Sequence, residues 1–260
     1  MMAFSPIELG PIWILCAGLV LVLTAYGARV LLVGRATDPR VQRERATPLL
    51  GTFPMEAMHW ALRGLGDLFA RVGVSPDSIT WASLVLTVST VPLVATDHFD
   101  WAALTLALGA ACDALDGIVA RRQRVSSDSG EVFDAVVDRY ADAMPLAGLA
   151  LYYRSSLVAL SIVLLAMIGS ALVSYVRAKA EAMQLALPGG LMRRHERVVY
   201  LGIALAIGPY MRLPIVPFTR PITLAIVALI AIVSNIAAAL LTRDARRLLV
   251  RDGRGPRAPG

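Results

Sequence analysis

Seven long apolar stretches divide the sequence, and they constrain the fold more than any other feature does. Most are roughly 20 residues long, the length that a helix needs to cross the ~30 Å hydrocarbon core of a bilayer. Hydrophobic residues make up 57% of the 260 residues, in keeping with this interpretation. The predicted spans are 11–34, 78–96, 100–121, 131–153, 156–179, 197–212 and 219–242. The sequence therefore predicts an all-α protein that crosses the membrane several times.

The arginines predict how these spans are oriented. Four basic clusters lie between or after spans, whereas the alternate connections are nearly free of basic residues. The clusters are Arg35, Arg40, Arg43 and Arg45; Arg121, Arg122 and Arg124; Arg193, Arg194 and Arg197; and Arg243, Arg246, Arg247 and Arg251. Cytoplasmic loops are enriched in basic residues, so we predict an outside N-terminus and a cytoplasmic C-terminus in the cell membrane. This arrangement explains the net charge of +6 by topology, so no nucleic-acid partner is expected.

The region between the first two spans predicts a helix that lies on the membrane surface. Residues 55–72 place apolar side chains on one half of a helical wheel and polar ones on the other. The polar half carries Glu56, His59, Arg63, Asp67 and Arg71. Packing on a soluble partner is the alternative interpretation. Residues 1–54 then form an additional N-terminal span with a basic linker, and residues 248–260 form a basic disordered tail.

Five aspartates stand inside segments that otherwise have the character of membrane helices. Asp113 and Asp116, spaced i and i+3, project together near the end of one predicted span. Asp134 and Asp138, spaced i and i+4, share a face of the next span, and Asp142 continues that face by one turn. Because a short polar turn joins the two spans, we expect antiparallel helices that direct four carboxylates into one small volume.

Four carboxylates in a medium of low dielectric constant require cations, because their mutual repulsion otherwise neutralises some of them. Oxygen ligands suit Mg²⁺, Mn²⁺ or Ca²⁺, and shared carboxylates can bridge two such ions. The alternative is a salt-bridge cluster with nearby arginines, which is the weaker explanation because ionisable groups inside a membrane are costly. A divalent-cation transporter is the rival function, but it predicts carboxylates near the bilayer midplane and an internal repeat, and neither is apparent.

The aspartate segment resembles a known family. The pattern is Asp113-x2-Asp116-Gly117-x2-Ala120-Arg121-x8-Gly130-x3-Asp134-x3-Asp138, which is similar at every position to the signature of the CDP-alcohol phosphotransferases (class I). The resemblance covers about residues 55–247 and implies a six-helix membrane bundle, preceded here by an additional N-terminal helix. It also implies a homodimer that transfers a phosphatidyl group from CDP-diacylglycerol to a polar alcohol and releases CMP.

The resemblance also implies roles for individual residues. Asp113, Asp116, Asp134 and Asp138 would hold two divalent ions, Mg²⁺ or alternatively Mn²⁺, and Asp138 would also be the catalytic base. The stretch SPDSIT, 75–80, resembles the Pro-Asn-x-x-Thr element of the family, with the aspartate found in the phosphatidylinositol phosphate synthase branch. The implied CDP-binding residues are Asp77, Thr80, Gly117, Ala120, Arg121 and Gly130.

Two further stretches resemble the same branch and imply an acceptor that carries a phosphate. They are SYVRAKAE, 174–181, and GGLMRRHERVV, 189–199. The acceptor-binding residues implied are Ser174, Arg177, Lys179 and Arg197.

One departure concerns the last span. The inositol phosphate branch ends this span with a Gln-Arg pair, whereas Leu240 and Leu241 stand here, followed by Arg243. Because of this departure the acceptor stays open: inositol phosphate is the leading candidate, and glycerol 3-phosphate, another phosphorylated polyol and serine are the alternatives.

Overall fold

Helices form all the regular structure in the part of the chain that the computed structural model describes, which is residues 10–35, 53–125, 127–208, 210 and 220–254. In chain order the helices are α1 (Pro11–Val33), α2 (Phe53–Val72), α3 (Pro76–Val88), α4 (Thr90–Ala95), α5 (Phe99–Gln123), α6 (Asp128–Tyr152), α7 (Leu157–Ala182), α8 (Arg194–Ile207) and α9 (Pro221–Arg251). The prediction of an all-α protein is confirmed. The predicted disordered tail, 248–260, begins inside a helix, because α9 continues to Arg251; residues 255–260 lie outside the described residues, as does most of the basic linker after α1.

Five of the helical segments are long and apolar enough to cross a membrane. They are α1, α3 together with α4, α5, α7 and α9. Helix α6, predicted as a span, carries its aspartates on the first half and falls outside this group. Helix α8 has 14 residues in the described part of the chain, and most of the remainder of its predicted span lies outside the described residues. The chain is a multi-pass membrane protein, as predicted.

Serine side chains cap the starts of α3, α6 and α7, the last through Ser156. The hydroxyl of Ser75 accepts a hydrogen bond from the Ser78 N–H at 3.3 Å, and so begins α3. Ser127 accepts from the Gly130 N–H at 3.2 Å in the same way at the start of α6. Helix α5 ends just before, where Arg124 takes the left-handed conformation (φ 58°). The connection is therefore only four residues long in sequence, 124–127, and it turns the chain between the two helices that carry the aspartates.

Small residues bring the membrane helices close together. A Cβ atom on Gly169 of α7 would lie 2.6 Å from Nδ2 of Asn235 and 2.9 Å from Cβ of Ser234, both on α9. Asn235 also donates to the carbonyl of Leu165 at 2.9 Å, which ties the same two helices. Glycine at such a contact lets two backbones approach, as is common between helices in membranes.

Helix α1 is attached to α2 through a buried tyrosine. The hydroxyl of Tyr26 donates to the carboxylate of Glu56 at 3.0 Å. The Tyr26 ring also contacts Phe53 and Trp60, with centroids 5.3 and 5.8 Å apart. Glu56, which the helical wheel places on the polar half of α2, is buried, because the additional N-terminal helix covers it.

A buried arginine ties together the other end of the bundle. Arg220, just before α9, contacts Asp97 of the α4–α5 turn at 2.7 Å, and its guanidinium lies 5.2 Å from the centroid of Phe99. Its carbonyl accepts a hydrogen bond from Tyr153, at the end of α6, at 2.8 Å. The α4–α5 turn, the end of α6 and the start of α9 therefore meet at one end of the bundle. The α5–α6 turn, near the aspartates, is at the opposite end.

Candidate active site

Three of the predicted carboxylates converge. One oxygen each from Asp113 on α5 and from Asp134 and Asp138 on α6 lie within 4.8 Å of one another. All three side chains are partly buried at the end of the bundle where α5 turns into α6. Three carboxylate oxygens at this spacing suit a hard divalent cation, which prefers oxygen ligands. The donor set therefore fits the kind of ion that the sequence predicts.

The fourth predicted carboxylate lies beside these three and has a different neighbour. Asp116 is buried and accepts a hydrogen bond from the Thr80 hydroxyl at 2.7 Å. That hydroxyl also lies 3.1 Å from the carbonyl of Pro76, so the first turn of α3 is held against α5. Two residues predicted for different tasks, metal binding and CDP binding, are thus direct neighbours.

Arg194, at the first position of α8, reaches into the carboxylate cluster. Its two terminal nitrogens donate to the two oxygens of Asp113 at 2.7 and 3.0 Å, which is the bidentate arrangement. The same guanidinium lies 2.9 Å from Asp138 and 3.6 Å from Asp142. Burial alone would lower the pKa of Arg194, but the hydrogen bond and the charge of Asp113, with Asp138 and Asp142, raise it, so the residue stays cationic.

Sequence reasoning assigned no role to Arg194, although it named the residue in a basic cluster. The missed signal is the spacing Arg194-x2-Arg197 at the start of an apolar helix, which puts both guanidinium groups on one helix face.

Arg197 is buried and ties three helices together. Its side chain is 2% exposed, and it donates to the carbonyl of Met192 at 2.7 Å and to the Ser174 hydroxyl at 3.1 Å. It also forms an ion pair with Asp142 of α6. Arg197 thereby fixes Ser174 of α7, another residue predicted to bind the acceptor, beside α6 and α8.

Arg177 has unused hydrogen-bonding capacity next to this network. Its Nε and one Nη atom have no hydrogen-bond partner among the described residues. Its guanidinium lies against Gly190, where a Cβ atom would come within 2.7 Å of Nη2. Lys179 is exposed, and at two residues from Arg177 it lies on another face of α7. The structure therefore separates two cations that the sequence grouped together.

The residues predicted to bind CDP lie around the start of α3 and the α5–α6 turn. Gly117, Ala120 and Gly130 are partly buried there, whereas Asp77 and Arg121 are exposed. Small side chains at three of these positions leave the backbone accessible to a ligand.

Comparison with known proteins identifies the family. A sequence model described as CDP-alcohol phosphatidyltransferase matches residues 73–242, which include the aspartates, Thr80, Ser174 and both α8 arginines. The phosphatidylinositol phosphate synthase of Mycobacteroides abscessus is 36% identical over 139 residues, which cover 52% of this chain and 63% of that protein. The aligned region therefore spans somewhat less than two thirds of that relative.

Solved structures show the same fold. The phosphatidylinositol phosphate synthase of Mycobacterium tuberculosis with CDP-DAG bound matches with a TM-score of 0.62 and 24% identity, covering 71% of this chain and 92% of that one. The structure of the same enzyme in complex with manganese and citrate matches equally, with a TM-score of 0.62 over 71% of this chain and 88% of that one. The fold, the aspartate signature and the family match agree: this chain belongs to the CDP-alcohol phosphatidyltransferase family and is a membrane transferase of phospholipid synthesis.

Proposed function

We propose that this protein transfers the phosphatidyl group of CDP-diacylglycerol to a hydroxyl of a phosphorylated inositol and releases CMP. The observation that carries the proposal is the meeting of three carboxylates within 4.8 Å, next to the arginines of α7 and α8. Carboxylates can hold cations for a pyrophosphate donor, and arginines can hold an acceptor that is itself anionic. The Mycobacteroides abscessus relative bears the name phosphatidylinositol phosphate synthase, which supports this acceptor class.

The proposed metal ligands are Asp113, Asp116, Asp134 and Asp138, for two divalent ions, Mg²⁺ or Mn²⁺. The oxygen-only donor set suits such ions, and manganese is present in a structure of the M. tuberculosis relative. When bound, ions of this kind neutralise the pyrophosphate and stabilise the departing CMP. Thr80 would orient Asp116 through its hydrogen bond.

We assign Asp138 the role of general base. The acceptor hydroxyl oxygen forms a new bond to the phosphorus that carries diacylglycerol, the bond from that phosphorus to CMP breaks, and the hydroxyl proton passes to Asp138. A carboxylate is a weak base for an alcohol, so proton loss and attack must be concerted. The position of Asp138 between Asp113, Asp134 and the arginines supports this assignment.

The nucleotide is assigned to the start of α3 and the α5–α6 turn. We propose that the residues next to the aspartates in this region contact the CDP group, because three of them have very small side chains that leave room for a ligand. The proposed residues are Asp77, Thr80, Gly117, Ala120, Arg121 and Gly130. The lipid chains of the donor would remain in the bilayer beside the helices.

The acceptor is assigned to the arginine side of the site. Among Ser174, Arg177, Lys179 and Arg197, Arg177 is the best placed to bind a phosphate, because it is partly buried and has donors to spare. Arg197 is the best placed to orient Ser174, to which it donates a hydrogen bond. We add Arg194, which borders both the carboxylates and this cationic group.

The deciding experiment measures CMP release by the purified full-length protein. CDP-diacylglycerol and Mg²⁺ or Mn²⁺ would be supplied with inositol phosphate, glycerol 3-phosphate, inositol or serine, one at a time. We expect CMP release that requires inositol phosphate. Release that follows glycerol 3-phosphate or serine instead would retain the reaction and replace the acceptor. Absence of CMP with every acceptor, in protein that still binds Mn²⁺, would overturn the proposal.

Three broader proposals accompany this function. The catalytic domain comprises residues 55–247, preceded by the additional N-terminal helix and followed by a basic segment, 248–260, whose first residues are the end of α9. The N-terminus faces outside and the aspartates face the cytoplasm, where CMP is released. The protein is a homodimer, which light scattering of the detergent-solubilised protein would test.

A further inference from the structure

A large groove lies outside the aspartate site, between α7 and α9. Its volume is about 1040 Å³, and its described lining includes Leu172 and Val176 of α7 and Ala239 of α9. Four arginines near the C-terminal end of α9 also line it: Arg243, Arg246, Arg247 and Arg251. The described lining contains none of the residues assigned above to metal, CDP or acceptor. The groove is therefore a second concave feature with its own chemistry.

The character of the groove changes along α9 in a regular way. The lining positions on this helix recur every three or four residues, so they form one continuous stripe. Its first part holds Ala238, Ala239 and Thr242, and its last part holds the arginines. With 31 residues α9 is roughly 46 Å long, well beyond the ~30 Å of hydrocarbon. The apolar part therefore lies within the bilayer and the cationic part at its surface.

The positive charge of this stripe is not balanced within the described chain. No described carboxylate lies within ion-pair distance of Arg246, Arg247 or Arg251, and Arg243 makes only a 3.4 Å contact with the neighbouring Asp244. All four arginine side chains are exposed. In the orientation proposed above this end of α9 is cytoplasmic, which is where anionic lipid headgroups attract basic residues.

We propose that the groove binds an intact anionic phospholipid of the cytoplasmic leaflet, distinct from the donor and the acceptor. An acyl chain would lie along Leu172, Val176 and Ala239, and the phosphate would lie among the arginines. A phospholipid has its apolar and anionic parts in this same order, from the bilayer interior to its surface. A free phosphate would match only the arginines. The inference rests on the groove and on the orientation proposed above, and it does not depend on the acceptor assigned there.

The test compares lipid retention by native mass spectrometry of the detergent-purified protein. Phosphatidylglycerol is the anionic probe and phosphatidylcholine is the neutral one. An arginine beside an anionic lipid surface contributes a factor of about five, so the double variant Arg246→Gln with Arg247→Gln should retain about 25-fold less phosphatidylglycerol. The matched control is Arg71→Gln with Arg154→Gln, which removes the same charge from two exposed positions outside the groove and should retain the lipid.

A second variant tests the apolar half of the groove without changing charge. Ala239→Trp places a bulky ring at an exposed lining position, and we expect it also to lower retention of phosphatidylglycerol. The proposal would be overturned if the unmodified protein retained phosphatidylcholine as well as phosphatidylglycerol, or if inorganic phosphate displaced the phosphatidylglycerol. A raised KM for CDP-diacylglycerol in these variants would reassign the groove to the donor. A change from dimer to monomer, with lipid retention intact, would assign it to a second copy of the chain.

Discussion

Asp138 combines two roles at one position, and a single substitution separates them. Asp138→Asn keeps the shape and an oxygen ligand but removes the base, so turnover should fall by about 10²- to 10⁴-fold while binding of CDP-diacylglycerol and Mn²⁺ is retained. Turnover is measured as CMP release, and binding by calorimetry. Asp128→Asn, an exposed carboxylate in the first turn of α6, is the control and should retain full activity. Normal turnover in Asp138→Asn would remove the base from this residue.

A substitution at Gly190 tests the acceptor site without replacing a charged residue. Gly190→Ala would place a methyl group 2.7 Å from the present position of Nη2 of Arg177, and the flexible guanidinium would have to move. Because hydrogen bonds to charged groups contribute about 1.5–3 kcal/mol, we expect the KM for the phosphorylated acceptor to rise about tenfold or more, with the KM for CDP-diacylglycerol unchanged.

Gly202→Ala is the matched control for this glycine, since a Cβ atom there meets no other residue within 4 Å. It should leave both constants unchanged. An increase confined to CDP-diacylglycerol in Gly190→Ala would move Arg177 to the donor side of the site.

At the scale of residues, sequence spacing predicted which carboxylates would meet but not what would meet them. The i, i+3 spacing of Asp113 and Asp116 and the i, i+4 spacing of Asp134 and Asp138 determine helix faces, and the short turn determines that the faces meet. Arg194 is 52 residues beyond Asp142 in the sequence, and no local pattern specifies that its guanidinium enters the cluster. Such long-range pairs depend on how α8 packs, which sequence periodicity does not encode.

At the scale of helices, the contact of α7 with α9 depends on one missing side chain. Gly169→Ala would push a methyl group against Ser234 and Asn235, both in the opposing helix. Overpacking of this kind costs about 1–3 kcal/mol, so the midpoint of thermal unfolding in detergent should fall by several degrees. Gly18→Ala on α1 is the control, because a Cβ atom there meets nothing within 4 Å, and it should leave the midpoint unchanged or raise it. An equal effect of both substitutions would contradict the packing argument.

Sequence patterns predicted the helices better than their partners. Apolar length predicted α1, α5 and α7 closely, because a membrane-spanning helix must satisfy all of its backbone hydrogen bonds within itself. It predicted the start of α9 but not its end, since the helix continues past residue 242 to Arg251 through a basic segment that has no apolar signal. The burial of Glu56 could not be predicted, since amphipathic periodicity describes one helix and Tyr26 comes from another. The predicted span 78–96 is broken into α3 and α4, and no change in the apolar character of the sequence marks the break.

At the scale of the molecule, the proposed orientation can be tested with two matched serines. Ser129 follows α5 at the aspartate end, and Ser155 lies in the turn between α6 and α7 at the opposite end; both are exposed. In a background lacking Cys16 and Cys112, Ser155→Cys should react with a membrane-impermeant maleimide on intact cells, and Ser129→Cys only after permeabilisation. The reverse pattern would place the aspartates outside and contradict the positive-inside prediction.

Apolar length predicted the order of the membrane helices before any contact was known. The arginine clusters predict the direction of these helices across the membrane, which the labelling experiment tests. No sequence pattern predicted the groove between α7 and α9. Its walls come from two segments about 60 residues apart, and each segment alone looks like an ordinary membrane helix.

The ion pair between exposed Asp97 and buried Arg220 has a consequence for biosynthesis. The two residues are 123 positions apart, so Asp97 is made and inserted long before Arg220 emerges. In the proposed orientation Arg220 must cross the membrane, and an unpaired arginine resists translocation. Asp97 is by then on the outer side of the membrane, where it can form an ion pair with Arg220. The ring of Phe99 adds a cation–π contact with the same guanidinium. The last helix, α9, would thus insert next to a binding site that the earlier helices have already formed. The order of synthesis would then contribute to the assembly of the helix bundle.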